Sequence, residues 1–314
     1  MRRHRKKNNL QYFYKDRHSP VFIFFAFVLK KVSIKESPMP KKVILILSTV
    51  MFLFNFIVAA EKAQDLVNCK NPVEWEGMVK LNDQAKTNGS SFEMYGKYPT
   101  ELICKQMIPV DFNKTYKLSV WMRSLDKQFP ASGYFGLHMY DKDKKPINYN
   151  NVSVLPATET TLATAAAKGS KEISVVKNEA WPKQKYSSVA FDIKDNYEDL
   201  PNFDLARVDK FVDDGTQYKV ILKSPLKKDY PAETRVRLHA PWGTPFYWVA
   251  SDWMPVEWKQ FSTVMKGESQ SGTPRDKFWK GTRYVRVFAW FGNYNRIPGK
   301  EARLLVDDIK FTCE

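Results

Sequence analysis

The chain has 314 residues, 14% of them aromatic, with 18 Pro against 13 Gly, which allows one or two domains and argues for turn-rich sandwiches over helical folds. Its formal charge of +16 is uneven: residues 1–42 carry twelve Lys or Arg against Asp16 and Glu36, and residues 61–314 keep only +6. That remainder is an ordinary mixed surface, so the charge makes no case for a nucleic-acid partner.

The first element is an apolar run, Val43 to Val58, broken by Ser48, Thr49 and Asn55. Met39-Pro40-Lys41-Lys42 precedes it, and Ala59-Ala60 and the polar Glu61 to Asp65 follow. A short positive segment, an apolar core and small residues form a signal-peptide pattern over 39–60, cleaved before Glu61. The run falls short of the ~20 residues that span a bilayer. The expectation is a secreted, extracellular or periplasmic chain with no stable membrane insertion after cleavage; an uncleaved anchor is the alternative. No Cys stands at the cleavage point to take a lipid. Residues 1–38, with the basic Arg2 to Lys7 and a second short apolar run, Val21 to Leu29, do not fit that pattern. They read as upstream sequence translated from a wrongly chosen start codon, or else as a basic cytoplasmic tail.

The exported part holds Cys69, Cys104 and Cys313, enough for one disulfide and one thiol. Sandwich termini often meet, which favours Cys69–Cys313, with Cys69–Cys104 as the alternative. Neither a CxxC spacing nor a His partner suggests a metal site among them.

Strand signals dominate the rest. Tyr116 to Arg123 alternates, with Tyr116, Leu118, Val120 and Met122 on one side and Lys117, Ser119, Trp121 and Arg123 on the other. Tyr134 to Tyr140 sets Phe135, Leu137 and Met139 against Tyr134, His138 and Tyr140. Tyr284 to Trp290 sets Val285, Val287 and Ala289 against Tyr284, Arg286, Phe288 and Trp290. Period-2 patterning gives each set its own face of a sheet. The last strand is Leu304 to Phe311, and turn residues cluster at Asn88-Gly89, Asp141 to Pro146, Asp213 to Gly215 and Asn293 to Gly299. Between about Leu155 and Pro245 shorter strands recur: Lys171 to Val176, Ser187 to Phe191, Tyr218 to Lys223 and Thr234 to His239. They read as a small β subdomain set into the main sandwich, since a structureless loop of that length is implausible. Ala163 to Lys168 is helix-like but too short to stand alone.

Four pieces, in order, carry a resemblance: Ile108 to Trp121, Val256-Glu257-Trp258-Lys259-Gln260-Phe261, Arg283 to Phe288, and Leu305 to Phe311. Together they resemble a carbohydrate-binding module of the family 4/9 type, a jelly-roll group similar to family 22. The resemblance implies an all-β, galactose-binding-like jelly-roll sandwich over 61–155 and 246–314, interrupted by an inserted β subdomain at 156–245. It implies a non-catalytic protein that binds a polysaccharide or oligosaccharide. If the three alternating strands share a sheet, Trp121, Arg123, Tyr134, His138, Tyr140, Arg286, Phe288 and Trp290 converge on one concave surface. Sugars offer apolar C–H faces to aromatic rings and hydroxyls to polar groups, and such a face supplies both. The bland alternative is that these residues pack beneath the insertion.

A second cluster, Trp242, Phe246, Tyr247, Trp248 and Trp253, fits a hinge between insertion and sandwich or a rim platform, with Trp248 and Trp253 the members expected to reach a ligand. Trp258 is expected in the core. Similar modules often hold a structural Ca²⁺ at the terminal strand, which makes Asp307 and Asp308 candidate ligands. By alternation Asp307 shares a side with Ile309 and Phe311, and a hydrogen-bonded carboxylate is the alternative.

Catalytic signatures are missing: there is no HExxH, GxSxG, P-loop or dinucleotide-type GxGxxG. Asp252 and Glu257 are the carboxylates a glycoside hydrolase or lyase would draw on, but the ExDxxE arrangement of jelly-roll glycanases is not there. A structural or adhesion module of a cell envelope is the other alternative. Asn88, Asn113 and Asn151 head glycosylation sequons that matter only in a eukaryotic source.

Overall fold

The computed structural model describes residues 63–67, 69–87, 89–96, 100–128, 130–182, 186–240, 246–292 and 301–314. The expected signal at 39–60, residues 1–38, Asn88, Trp242 and the 293–299 turn lie outside them. Among the described residues nine strands come before the insertion: β1 (Gln64–Asp65), β2 (Trp75–Glu76), β3 (Val79–Asn82), β4 (Ser91–Gly96), β5 (Thr100–Cys104), β6 (Ile108–Pro109), β7 (Thr115–Ser124), β8 (Ser132–Tyr140) and β9 (Pro146–Ile147). A single helical turn, α1 (Tyr149–Val152), leads into β10 (Thr160–Thr161), β11 (Glu172–Val176), β12 (Ser188–Phe191), β13 (Leu205–Asp214), β14 (Gln217–Leu222) and β15 (Arg235–His239). The chain then returns through β16 (Tyr247–Trp253), β17 (Lys259–Lys266), β18 (Tyr284–Gly292) and β19 (Ala302–Cys313).

Two antiparallel sheets form a jelly-roll sandwich. Sheet I has the order β17-β7-β19-β4-β3, with β1 added to β19; sheet II has the order β16-β8-β18-β5-β2, with β6 on β18 and β9 on β8. The apolar half of each alternating strand faces inward. Leu118, Val120 and Met122 of β7 and Leu304, Val306 and Phe311 of β19 meet Phe135, Leu137 and Met139 of β8 and Val285, Val287 and Ala289 of β18 in one fully buried core. Successive strands often change sheet, as β4 to β5, β7 to β8 and β18 to β19 all do. This overturns one expectation: β8 and β18 are neighbours, but β7 lies in the opposite sheet. Alternation sorts the two sides of a strand and says nothing about which sheet receives it.

The inserted residues make a third sheet, β10-β15-β12-β13-β14-β11. It has its own core around Trp181, Val189, Phe191, Val220 and Leu238. The helix-like stretch at 163–168 forms no helix. The insertion interrupts one edge of β8: Ile147 of β9 pairs with Met139, and Tyr247 of β16 pairs with Leu137. Asn151 and Asn202 tie the parts together, with Asn151 Nδ2 donating to the Asn202 carbonyl and the Asn202 amide donating to the Asn151 carbonyl, both at 2.9 Å. Gly281 has φ +80°, and a Cβ there would collide with the Pro201 ring, so the 200–203 loop sits directly on the sandwich.

A buried charge lies behind this junction. Arg237 is fully buried, its Nη2 donating to Asp199 Oδ2 (2.6 Å) and its Nε to His239 Nε2 (3.0 Å). Arginine only donates, so His239 Nε2 accepts and its Nδ1–H donates to the Asn150 carbonyl at 2.7 Å. The ring is therefore neutral. Burial, reinforced by the Arg237 charge, holds its pKa down to about 4. The unfolded chain takes up this proton near pH 6.5 and the folded chain does not, so the contribution is complete above that pH and is lost on acidification towards about 4. The loss amounts to about 3 kcal/mol. Urea midpoints measured from pH 7 to pH 4 are expected to fall through this window and to fall less for His239→Asn; equal slopes would contradict the assignment.

The disulfide joins Cys69 to Cys104, with Cα atoms 6.0 Å apart, and leaves Cys313 as a half-exposed thiol. The expected Cys69–Cys313 pair is thus corrected. The termini do meet, but through β1 on β19, where Gln64 lies opposite Cys313. Five residues further on, Cys69 has turned into the core, where its carbonyl accepts from Trp75 Nε1 (3.0 Å) and Trp75 lies opposite Cys104. The bond closes a 35-residue separation, worth about 2–4 kcal/mol on loop-entropy grounds. Cys104→Ser should lose that amount in denaturant titrations and Cys313→Ser little; the reverse order would refute the pairing.

Candidate functional site

The outer face of sheet II follows from the β8–β18 register. Tyr140 lies opposite Tyr284, His138 opposite Arg286, Gly136 opposite Phe288 and Tyr134 opposite Trp290. Their strand neighbours fill the core, so this set projects outward. On the far side of β18, Leu102 and Cys104 of β5 point inward, which turns Glu101 and Ile103 outward beside Trp290 and Phe288.

At the centre the rings pack on one another. Phe246 approaches Phe288 at 4.3 Å, His138 at 5.7 Å and Tyr134 at 5.9 Å between centroids, and His138 and Phe288 are 4.7 Å apart. Phe288, His138 and Phe246 are consequently buried, while Tyr134 and Trp290 form a half-buried edge-to-face pair at 5.1 Å and 77°. Gly136 permits this arrangement: a Cβ there would strike the backbone of Tyr247 and Trp248, so only glycine lets β16 fold this close. Polar groups flank the rings. Glu101 Oε1 is 2.7 Å from His138 Nε2, Arg286 Nη2 donates to Glu76 Oε1 at 2.7 Å, and Arg286 Nε donates to the Cys104 carbonyl at 2.7 Å.

Six of the expected ligand residues thus share this face: Tyr134, His138, Tyr140, Arg286, Phe288 and Trp290. Trp248 joins them opposite Gly136, with Arg275 5.9 Å over its ring, and Trp253 lies 44% exposed at the Ser132 end of β16. Trp121 and Arg123 do not join them. They lie on the outer face of sheet I, where Lys86 Nζ sits 4.6 Å over the Trp121 ring and Arg123 lies 5.8 Å from that of Trp258. Trp258 is accordingly half-buried against Arg123 and outside the core that was expected to hold it. Tyr247 of the second cluster is a core residue, its hydroxyl donating to the Arg275 carbonyl (2.5 Å). Glu76 and Glu101 were not anticipated. The Glu101-Leu102-Ile103-Cys104 alternation carried the signal for Glu101, and nothing local marks Glu76. Glu257 is exposed, and the side chain of Asp252 is outside the described set.

Asp307 lies opposite Trp121, on the outer face of sheet I. A bulge between Asp307 and Lys310, with Asp308 at φ +49°, separates it from the core side of Phe311, which corrects the simple alternation. Its carboxylate accepts from the amides of Lys86 (2.6 Å), Thr87 (2.9 Å) and Asp308 (2.7 Å). Asp308 pairs with Lys310 Nζ at 2.7 Å. Three N–H donors and an ammonium satisfy these anions, whereas Ca²⁺ needs converging oxygens, so this donor set does not fit a calcium ion. Among the described residues no group of three His, Cys, Asp or Glu could hold a metal. Adding Ca²⁺ or EDTA should leave the unfolding midpoint unchanged, whereas Asp307→Ala, which strands the 86–87 amides, should cost about 1–3 kcal/mol. A midpoint that falls with EDTA would restore the calcium role.

No family model matches the chain, and no curated protein matches it. Among solved structures, a peanut lectin with a 9-mer peptide is similar at 12% identity, covering 80% of this chain and 96% of that one, with a TM-score of 0.26. At that score the likeness carries no weight beside the sheets themselves, and the family expected from the motifs stays an expectation.

Proposed function

We propose that this is an exported, non-catalytic protein that binds a polysaccharide or oligosaccharide on the outer face of sheet II. The observation that carries the reading is the Tyr134–Trp290 pair, held at 5.1 Å and half-exposed beside Glu101, His138 and Arg286. A pyranose ring can stack on the aromatic pair while its hydroxyls reach the carboxylate and guanidinium edges. Such polar groups are worth most when already oriented, and each here has a fixed partner. The same fixation argues against hydrolysis. Glu101 is engaged by His138 and Glu76 by Arg286, so neither stands ready as acid or nucleophile. Export is supported by the 39–60 pattern and by the Cys69–Cys104 bond, which suits an oxidising compartment.

Affinity electrophoresis and a glycan array are expected to reveal a retained polysaccharide. Trp290→Ala or Tyr134→Ala should weaken binding by about tenfold or more, the equivalent of ~1.4 kcal/mol. Trp121→Ala, on the opposite sheet, should leave it unchanged. A folded sample with no retention on any glycan, or a loss confined to Trp121→Ala, would overturn the assignment.

A further inference from the structure

The inserted sheet carries a cleft of its own. It encloses about 310 Å³ and is lined by Val154, Leu155, Pro156, Ala157, Glu159 and Tyr197. That is room for a small polar group or a single sugar ring. The walls are held in unusual backbone conformations, with Ala157 at φ +61° and Tyr197 at φ +60°. Strain of this kind persists only where surroundings enforce it, and it gathers at ligand sites. Here Thr158 Oγ1 donates to the Leu155 carbonyl at 2.6 Å, and Asn178 Nδ2 donates to the carbonyls of Ala157 and Glu159, both at 3.1 Å.

Beneath this cleft lies the guanidinium of Arg237, 5.1 Å from the Tyr197 ring. Its Nε and Nη2 have partners, but Nη1 is buried with no hydrogen-bond partner among the described residues. An unmet buried donor on a charged group is expensive, and native folds seldom keep one without a reason. The cleft residue within reach is Glu159, whose Oε1 is 3.9 Å from Nη1. Its Oε2 is 3.6 Å from Nη2 of Arg235, which shares a face of β15 with Arg237 and already donates to Asp195 Oδ1 at 2.8 Å. Both distances exceed a hydrogen bond. Glu159 therefore stands between two guanidiniums that are otherwise held by Asp195 and Asp199, and it leaves Arg237 Nη1 unmet.

The geometry points to an oxyanion site in this cleft, taking a carboxylate or sulfate group, with Glu159 as an internal stand-in that the ligand displaces. Once Glu159 moves aside, an oxyanion in the cleft takes its place between Arg237 Nη1 and Arg235, which keeps its bond to Asp195, and the Tyr197 side chain borders whatever carries the anion. Glu159 is 46% exposed and loosely held, so displacing it costs little. Four of its six lining residues belong to the insertion and the other two, Val154 and Leu155, lead into it, so the cleft owes nothing to the aromatic face of sheet II.

The test is a titration of the whole protein at constant ionic strength with sodium glucuronate, sodium acetate, sodium sulfate and neutral glucose, followed by calorimetry and by NMR of the arginine side chains. Saturable binding of at least one anion, with shifts at Arg237 and none with glucose, is the expected result. Glu159→Ala, which removes the competitor, should tighten binding by up to about fivefold, the ceiling for an exposed ion pair. Arg235→Gln should weaken it. Glucuronate binding tighter than acetate identifies a sugar acid as the source, and equal binding identifies the free oxyanion. Should no anion bind saturably to either the wild type or Glu159→Ala, both folded, or should Arg235→Gln have no effect, the site does not exist.

Discussion

Nine consecutive pairs join β8 to β18, from Tyr140 opposite Tyr284 to Ser132 opposite Gly292, and most other features answer to that register. It sends Phe135, Leu137 and Met139 inward with Val285, Val287 and Ala289, closing the core against sheet I. The same pairing obliges Tyr134, His138, Arg286 and Trp290 to stand together outside. A slip of one residue would exchange the two sets, burying an arginine and a histidine in the core. Core stability and the composition of the outer face are thus one constraint seen from two sides.

Buried charge follows a consistent rule in this molecule. Glu93 is fully buried on the outer side of sheet I; burial pushes its pKa up, yet hydrogen bonds from Arg303 and Asn82, with the nearby Lys80, bring it below the usual carboxylate range. Asp199 behaves alike: burial is opposed by Asn202, the Lys194 amide and Arg237. Asp307 holds the 86–87 loop, and Asp141 Oδ1 holds its own turn through the amides of Asp143 (2.9 Å) and Lys145 (2.8 Å). Carboxylates here act as loop fasteners, accepting N–H groups that a sandwich rim would otherwise leave bare. Two guanidinium nitrogens depart from that rule among the described residues, Arg123 Nε and Arg237 Nη1, and only the second lies beside a cleft.

Much of the fold was legible in the residues, because period-2 alternation is a local signal. The β7, β8 and β18 strands lie where that alternation puts them, the last strand and the four named insertion strands fall on the runs read as strands, and a second core follows the change of texture after Leu155. Three things were not legible, each for a physical reason. Sheet membership depends on where a connection crosses, so Trp121 and Arg123 were grouped with the wrong strands. The Cys69–Cys104 bond depends on a turn after β1 that brings a loop residue inward, which termini-based reasoning misses. Asp307 depends on a bulge, and bulges leave no periodic trace. Glu101 stood in plain alternation beside Leu102 and Cys104, yet a lone carboxylate acquires meaning only when His138 is known to lie within 2.7 Å.

The manner in which the insertion enters the sandwich has a consequence of its own. Ile147 faces Met139 and Tyr247 faces Leu137, so β9 and β16 run the same way along one edge of β8 with a single missing rung between them. The whole third sheet therefore occupies the place of one residue, its two ends about 7 Å apart, two steps along an extended strand. That rung is the one opposite His138. Geometrically the excursion is a parenthesis in an otherwise continuous edge, with the pairs of β8 in register on either side of it. Its closing bracket is Phe246, the ring that lies on His138 and Phe288. The excursion and the aromatic face thus share one ring, set in the middle of that face.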